Sequence, residues 1–193
     1  MRNLKSFLEK TFLGETLIEK IISSTNGEIM IYDGWFGINM RIGGVTQSGE
    51  LVEKLWKISL SPNPYHLSPP KNCLILGLGC VNAAKLISRK WPGVKIIGVE
   101  IDPKVVEVGK KYFELDKIPN LKIIVGDAFR ELKTQNSKLD LILVDLYLGK
   151  EYPQEAESEE FINGVKKLLN KDGVAVFNRL SYGEYEKPAN EFA

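Results

Sequence analysis

The sequence predicts an α/β protein in which a parallel β-sheet, with helices on both faces, follows a small N-terminal β-hairpin domain. From residue 72 onward, short apolar runs alternate with amphipathic segments, the pattern of strands buried on both faces of a parallel sheet. Before that point, Asp33-Gly34 gives a hairpin-turn signal between two apolar segments. Between the two parts, residues 61–71 contain four prolines, which remove backbone donors and indicate a connector.

Composition excludes several classes of protein. The 193 residues carry 26 Lys and Arg against 25 Asp and Glu, evenly spread, which disfavours a nucleic-acid-binding surface. There is neither an apolar run of about 18 residues nor an apolar signal segment at the N-terminus, so we expect a cytoplasmic protein without membrane contact. The two cysteines, Cys73 and Cys80, and the single histidine, His66, predict neither a disulfide scaffold nor a metal centre.

The N-terminal part, residues 1–60, is predicted to join a helix to a small β-sheet. Apolar residues recur at roughly helical spacing over residues 3–23, which predicts a helix there. Strands are predicted at 29–32, 35–42 and 45–47. A further helix is predicted over 50–58, with Leu51, Leu55 and Trp56 on one face.

The C-terminal part, residues 72–193, is predicted to hold the parallel sheet. Five apolar runs predict strands at 73–77, 95–99, 121–125, 139–145 and 173–178. The segments between them predict helices over 82–91, 103–114, 127–133 and 157–170. Asp102 followed by Pro103 is typical of a helix N-terminus, with the aspartate as cap.

The exit of the first predicted parallel strand carries two glycines, Gly77 and Gly79. A glycine-rich turn between a strand and a helix lets a ligand approach the backbone closely, beside the switch point of an open α/β sheet. Asn82 stands where a dinucleotide fingerprint has its third glycine, which counts against a nicotinamide-dependent dehydrogenase. Alternatively, the glycines serve only the packing of the turn.

Each of the next three predicted strands ends in an acid. Glu100 lies 21 residues beyond Gly79, where a carboxylate can accept both hydroxyls of a ribose. Asp127 can accept the exocyclic amine of adenine, cap the following helix, or do both. Asp145 can take a proton from an attacking amine or attract a sulfonium cation. Each acid could instead be a structural or solvated strand-end charge.

Parallel strands end at one edge of a sheet, so these glycines and acids are expected on a single rim. Three acids around a nucleoside-sized site disfavour a pyrophosphate, which prefers amide donors and basic side chains. The expected ligand is an adenosine with a positive centre, which describes S-adenosylmethionine and its decarboxylated form.

The sequence resembles the spermidine synthase group over roughly residues 15–180. The stretch from Phe36-Gly37 through Met40-Arg41-Ile42-Gly43-Gly44 to Gln47 is similar to the family's hairpin, "FG…L-x-LDG-x-x-Q". Gly77-Leu78-Gly79-Cys80 stands where the family has "GGGDG", and residues 99–103 match its "VEIDP". Gly126-Asp127-Ala128 matches its "GDA". The resemblance implies an S-adenosylmethionine-dependent methyltransferase fold, Rossmann-like, behind a small β-domain.

The resemblance also implies roles for individual residues. Glu100 would hold the ribose, Asp127 with Ala128 the adenine end, and Gln47 would reach the nucleoside from the β-domain. Gly77 and Gly79 would lie against the cofactor's amino-acid end. Asp145 corresponds to the first aspartate of the family's "D-S-x-D-P" loop and would be catalytic. Independently of the resemblance, Tyr147 is expected either to line the acceptor pocket or to be a partly packed aromatic of the same loop. The family's β-domains often make dimer contacts, so a homodimer is also implied.

Two departures from the family lie in its amine-binding groups. Leu148 replaces the second aspartate of the loop, and Cys80 replaces the aspartate of "GGGDG". A diamine dication needs carboxylates at both ends, because a buried unpaired ammonium is costly. These losses argue against ordinary spermidine synthesis but leave the adenosine pocket intact.

Three functional hypotheses follow. The leading one is a methyltransferase-like, S-adenosylmethionine-dependent transferase acting on a small amine or other nucleophile. The alternative is an aminopropyltransferase that uses decarboxylated S-adenosylmethionine. A third, from a different class, is a non-catalytic nucleoside-binding homologue.

The chain length leads to a further expectation. A domain of this fold continues past its fifth strand through a helix and a closing antiparallel pair. The residues after 180 are too few to supply all three, so the C-terminal strands are predicted to be missing. Either the chain is a fragment, or its sheet ends early and another subunit covers the edge.

Overall fold

Two β-sheets make up the frame of the protein, whose computed structural model describes residues 14–61, 69–149 and 151–179. The first sheet is antiparallel, and its strands pair in sequence order: β1 (Glu15–Ser23), β2 (Gly27–Gly34), β3 (Gly37–Ile42) and β4 (Val45–Ser48). The second is parallel, in the order β7-β6-β5-β8-β9: β5 (Asn72–Leu76), β6 (Lys95–Glu100), β7 (Leu121–Val125), β8 (Leu139–Val144) and β9 (Leu169–Phe177).

Within the described residues, five α-helices connect and cover these strands: α1 (Glu50–Ser59), α2 (Asn82–Lys90), α3 (Pro103–Phe113), α4 (Ala128–Thr134) and α5 (Glu159–Leu168). Short 3₁₀ turns lie at Leu115–Lys117 and Gln154–Glu157. The predicted α/β architecture is therefore confirmed. Within the described ranges, no helix combines the length and apolar character that a membrane crossing requires.

Residues alternate between two apolar layers along the strands of the parallel sheet. One layer packs against the first sheet and helices α1, α2 and α3, and it includes Cys73, Ile75, Ile96, Leu141 and Leu143. The other packs against α4 and α5, and it includes Leu74, Leu76, Val99, Ile142 and Val144. Burial on both faces explains why the strands are almost wholly apolar in sequence.

The predicted helix over residues 3–23 is wrong where the structure describes it, because 15–23 form strand β1. Residues 3–13 lie outside the described residues. β1 pairs with β2 from Glu15 opposite Gly34 to Ser23 opposite Gly27, with a register shift between Leu17 and Glu19. That shift breaks the two-residue alternation, so the apolar residues on its two sides imitate helical spacing.

The hairpin turn between β2 and β3 also differs from the prediction. Gly34 pairs with Gly37, so the turn residues are Trp35 and Phe36 rather than Asp33-Gly34. Gly37 takes the positive φ of 88° there, and the second strand begins at residue 37 rather than 35. The glycines therefore flank the turn instead of forming it.

Helix α1 buries only part of its predicted apolar face. Trp56 is 3% exposed, whereas Leu51 and Leu55 are 62% and 53% exposed. The predicted N-terminus of α3 is confirmed, because the Asp102 side chain accepts a hydrogen bond from the Lys104 N–H and Pro103 is the first helical residue.

The remaining predicted elements agree to within a few residues, except that β9 begins at 169. The division into 1–60, 61–71 and 72–193 stays a prediction, and His66 lies outside the described residues.

Close packing of α3 against the turn after β5 predicts that a substitution at one helical glycine is more destabilising than the same substitution at another. A Cβ atom on Gly109 would lie 2.7 Å from the backbone oxygen of Cys80, which cannot move freely. We expect Gly109→Ala to lower the free energy of unfolding by about 1–3 kcal/mol.

The matched control is Gly164→Ala in α5, where the nearest atom to a new Cβ is the flexible Leu132 side chain, 3.1 Å away. Its helix-propensity gain keeps the expected change within about 1 kcal/mol of zero. Urea denaturation of the two variants measures the difference, and equal effects would contradict the packing argument.

Candidate active site

The carboxyl ends of β5, β6, β7 and β8 meet at one side of a cavity of about 280 Å³. The eight residues that the sequence singled out all line it: Gln47, Gly77, Gly79, Glu100, Asp127, Ala128, Asp145 and Tyr147. Residues of the first sheet, including Met40 and Ile42, complete the wall. The predicted rim is therefore present as a single site.

Gly77 lets the backbones after β5 and β8 come together. Its φ is 83°, and a Cβ on it would lie 2.0 Å from the carbonyl oxygen of Asp145. No side chain fits in that space, so this glycine is required by the contact between the two strand exits. Gly77 therefore has the packing role that the sequence offered as an alternative, and the same turn also lines the cavity.

Glu100 is a buried carboxylate, only 7% exposed. One oxygen accepts a hydrogen bond of 2.8 Å from the Gly79 N–H, and the other accepts one of 3.0 Å from the Asp102 N–H. Burial raises the pKa of Glu100 to about 6, and these two hydrogen bonds only partly oppose that effect. Glu100 is therefore not an exposed strand-end charge.

Asp127 caps helix α4. One of its oxygens accepts hydrogen bonds from the backbone N–H groups of Phe129, at 2.8 Å, and Arg130, at 3.1 Å. The residue also lines the cavity beside Ala128. A helix cap held in this way offers a fixed carboxylate to a ligand, so capping and binding are compatible.

Asp145 is held by two side chains that sequence reasoning missed. The Asn178 amide donates to its Oδ1 at 2.7 Å, and the Trp56 side chain donates a second hydrogen bond. Burial nevertheless raises the pKa of Asp145 to about 6, because it outweighs both hydrogen bonds. Asn178 follows the fifth parallel strand, and its position at that strand end is the one sequence signal that could have identified it.

Tyr147 both packs and lines the cavity. Its ring meets that of Tyr152 edge-on, with centroids 5.4 Å apart, and its hydroxyl donates to the Asn178 carbonyl at 3.3 Å. The chain then reverses between Leu148 and Glu151, whose backbone groups hydrogen-bond to each other. Asn178 therefore contacts both Asp145 and Tyr147.

Gln47 reaches this same loop. Its Nε2 donates to the Gly149 carbonyl oxygen at 2.7 Å, while the Gly149 N–H donates to Asn26 Oδ1 at 3.2 Å. Asn26, which also lines the cavity, is another residue that the sequence did not single out. The first sheet thus holds the loop after β8 at two points.

Cys80 lies beneath the site rather than in its lining. It is fully buried, and its Sγ lies 3.3 Å from Met40 Sδ and 3.8 Å from the Val105 carbonyl oxygen. Burial raises the pKa of the thiol far above its usual range, so it is a packing group and not a nucleophile.

Comparison with known proteins identifies the family. Residues 55–187 match the model of the spermine/spermidine synthase domain. The chain belongs to this family. Its resemblance to the spermidine synthase group is therefore confirmed. The residues that match the family begin at 55, after the last strand of the first sheet.

Individual relatives point the same way. A polyamine aminopropyltransferase of Thermoplasma acidophilum is 36% identical over 149 residues, which is 73% of this chain and 54% of that protein. A second, from Thermoplasma volcanium, is 34% identical over 150 residues, again 73% and 54%. The chain thus spans about half the length of the curated relatives it matches.

Solved structures show the same fold. A spermidine synthase from Thermotoga maritima superposes with a TM-score of 0.75 at 22% identity, over 91% of this chain and 61% of that one. A spermidine synthase in complex with the transition state analogue AdoDATO gives 0.73 at 23% identity, over 86% and 59%.

The comparisons correct the leading functional hypothesis. The sequence relatives are polyamine aminopropyltransferases, so they favour the alternative hypothesis and lend no support to a methyltransferase-like one. The broader prediction, membership of the spermidine synthase group, stands.

The burial of Asp145 predicts how stability depends on pH. A carboxyl whose pKa rises from 3.8 to about 6 on folding binds its proton more tightly in the native state, so stability falls as pH rises from about 4 to about 6. We expect Asp145→Asn, which keeps an acceptor for Trp56 while Asn178 can turn its amide, to be more stable than wild type at pH 7. The gain should be on the order of 2 kcal/mol.

Chemical denaturation at pH 4, 5, 6 and 7 measures the effect. Asp116→Asn, at an exposed position, is the control that should leave the slope unchanged. A variant at position 145 with the same pH slope as wild type would contradict the assignment.

Proposed function

We propose that this protein transfers an aminopropyl group from decarboxylated S-adenosylmethionine to a small amine. The observation that carries the proposal is the position of Asp145, a partly buried acid held by Trp56 and Asn178 at the wall of the cavity that Glu100 and Asp127 also line. The aminopropyltransferase relatives support it. We propose both the aminopropyl transfer and the small-amine acceptor for this chain.

The cavity fits a nucleoside with a positive centre. Gly77 lines the cavity with backbone alone, and Glu100 presents a fixed carboxylate whose oxygens retain lone pairs for ribose hydroxyls. Asp127 and Ala128 would hold the adenine end, and Gln47 would contact the nucleoside from the first sheet. Within the described residues, no basic side chain lines the cavity, which suits a cation and not a phosphate.

The sulfonium supplies an activated carbon, so the residues of the chain mainly have to align and deprotonate the acceptor. As the amine nitrogen bonds to the aminopropyl carbon, the carbon–sulfur bond breaks and methylthioadenosine leaves. Asp145 takes the proton that the amine loses. With a pKa near 6, it is ionised and able to do so at neutral pH. Tyr147 and Leu148 would line the acceptor side, where Leu148 offers no second carboxylate.

The first test is a product assay. We expect the protein to release methylthioadenosine from decarboxylated S-adenosylmethionine when an amine is supplied, and to leave S-adenosylmethionine unchanged. A panel of putrescine, longer polyamines and monoamines, followed by chromatography, identifies the acceptor. Because Leu148 stands where the family has a second aspartate, one carboxylate for a diamine is lacking there, and we expect putrescine not to be the best acceptor. Tight nucleoside binding without turnover of any amine would favour the non-catalytic reading instead.

The second test addresses Asp145 as the base. We expect Asp145→Asn to lower kcat by about 10²–10⁴-fold, because proton acceptance is lost. In wild type, kcat/KM should rise as pH increases through about 6. Asp116→Asn should match wild type at every pH. A loss of kcat smaller than about tenfold in Asp145→Asn would remove Asp145 from the catalytic role.

The third test addresses Glu100 as the ribose acceptor. We expect Glu100→Gln to weaken methylthioadenosine binding at least about tenfold in calorimetry, because an amide NH₂ replaces one acceptor oxygen. Glu107→Gln, which changes an exposed glutamate of α3, is the matched control. Equal affinities of the two variants would exclude the ribose assignment.

A further inference from the structure

We propose that Asn26 is a positioning residue that fixes the loop Asp145–Gly149 over the cavity by linking it to the buried carboxylate of Asp102. The kinetic consequences of this inference rest on the proposed function, whereas its structural consequence does not. Asn26 lies in the turn between β1 and β2, far in sequence from both groups that it joins.

Both ends of the Asn26 amide are used. Its Nδ2 donates to Asp102 Oδ2 at 2.7 Å, and its Oδ1 accepts from the Gly149 N–H at 3.2 Å. The bridge therefore needs a donor and an acceptor on one short planar side chain, which asparagine provides. Aspartate would keep the acceptor but set a second carboxylate against Asp102.

The anchor of this bridge is rigid. Asp102 is fully buried, and its carboxylate accepts hydrogen bonds from Ser23 Oγ at 2.5 Å and from the Lys104 N–H at 2.8 Å, besides Asn26. Ser23 Oγ also accepts the N–H groups of Thr25 and Asn26, which fixes the backbone of the turn. The Asn26 side chain thus starts from an ordered turn and ends on an ordered acid.

The other end of the bridge is a single peptide of the loop. Gly149 gives its N–H to Asn26 and its carbonyl oxygen to Gln47, so two side chains of the first sheet hold one residue. Asp145, at the start of the loop, is held separately by Asn178 and Trp56. Loss of Asn26 should therefore leave Gly149 held by Gln47 and loosen the end of the loop without displacing the Asp145 carboxylate.

This separation predicts a particular kinetic pattern. Loosening Gly149 lets the loop open more often, so bound ligands dissociate faster, while the proton acceptor stays in place once ligands are bound. For Asn26→Ala we expect the KM for decarboxylated S-adenosylmethionine and the dissociation rate of methylthioadenosine to rise about tenfold or more, with kcat within about twofold of wild type. Asn26→Asp should show at least as large an effect.

The structural readout is hydrogen exchange of the loop in the unliganded protein. We expect peptides that include Gly149 to exchange at least about tenfold faster in Asn26→Ala than in wild type. The matched control is Thr25→Ala, at an exposed position in the same turn. Circular dichroism checks the folding of each variant, and Asn26→Asp, of nearly unchanged shape, replaces Asn26→Ala if the latter does not fold.

The outcomes separate this inference from the proposed function. Exchange in the Asn26 variants equal to that of Thr25→Ala overturns it, and so does a fall in kcat at unchanged KM. If wild type turns over no amine, the proposed function fails, but methylthioadenosine dissociation and hydrogen exchange still decide the role of Asn26. If no nucleoside binds either, hydrogen exchange alone decides it.

Discussion

The buried carboxylate of Asp102 is the interaction on which the arrangement of the site depends. Burying a charge is costly unless hydrogen bonds compensate it, and here three donors do so: the Ser23 hydroxyl, the Asn26 amide and the Lys104 N–H. Two of them come from the first sheet and one from helix α3. The Asp102 N–H in turn holds Glu100. One acid thus fixes the antiparallel sheet against the end of β6 and orients the carboxylate proposed to bind ribose.

The second constraint is the crowding of acids at the ends of parallel strands. Glu100 and Asp145 both have pKa values raised to about 6, mainly because they are buried, and their mutual repulsion adds to the effect on Glu100. Within the described residues, the cavity offers them no cationic side chain. A bound sulfonium or ammonium would supply the missing charge and favour both ionised forms. If the site binds a cation as proposed, relief of these unfavourable electrostatics would contribute to that binding.

The sequence predicted the parts of the site that follow from the position of a residue at the end of a parallel strand. Strand ends in a parallel sheet converge, so Gly77, Glu100, Asp127 and Asp145 could be placed on one rim from their positions alone. β1 was mistaken for a helix because its register shift disrupts the alternation of apolar residues. Trp56, Asn178 and Asn26 were missed for a different reason. Each joins its partner across a long sequence separation, 123 residues for Asn26 and Gly149, and only Asn178, which follows the fifth parallel strand, carries a local signal of its position.

The two departures from the family pattern have different physical meanings. Cys80 points into the core, where its sulfur contacts Met40 of the first sheet, so the acid lost there is replaced by packing between the sheets. Leu148 remains in the cavity wall, 47% exposed, so the acid lost there changes the surface that a ligand meets. The loop that carries Leu148 is held by Gln47 and Asn26 from the first sheet. In the proposed function, the first sheet would therefore set the shape of the acceptor side, where Leu148 contributes no charge. An amine bound there would depend on Asp145 for its compensating charge, so the proposed acceptor recognition and proton transfer would rely on the same carboxylate.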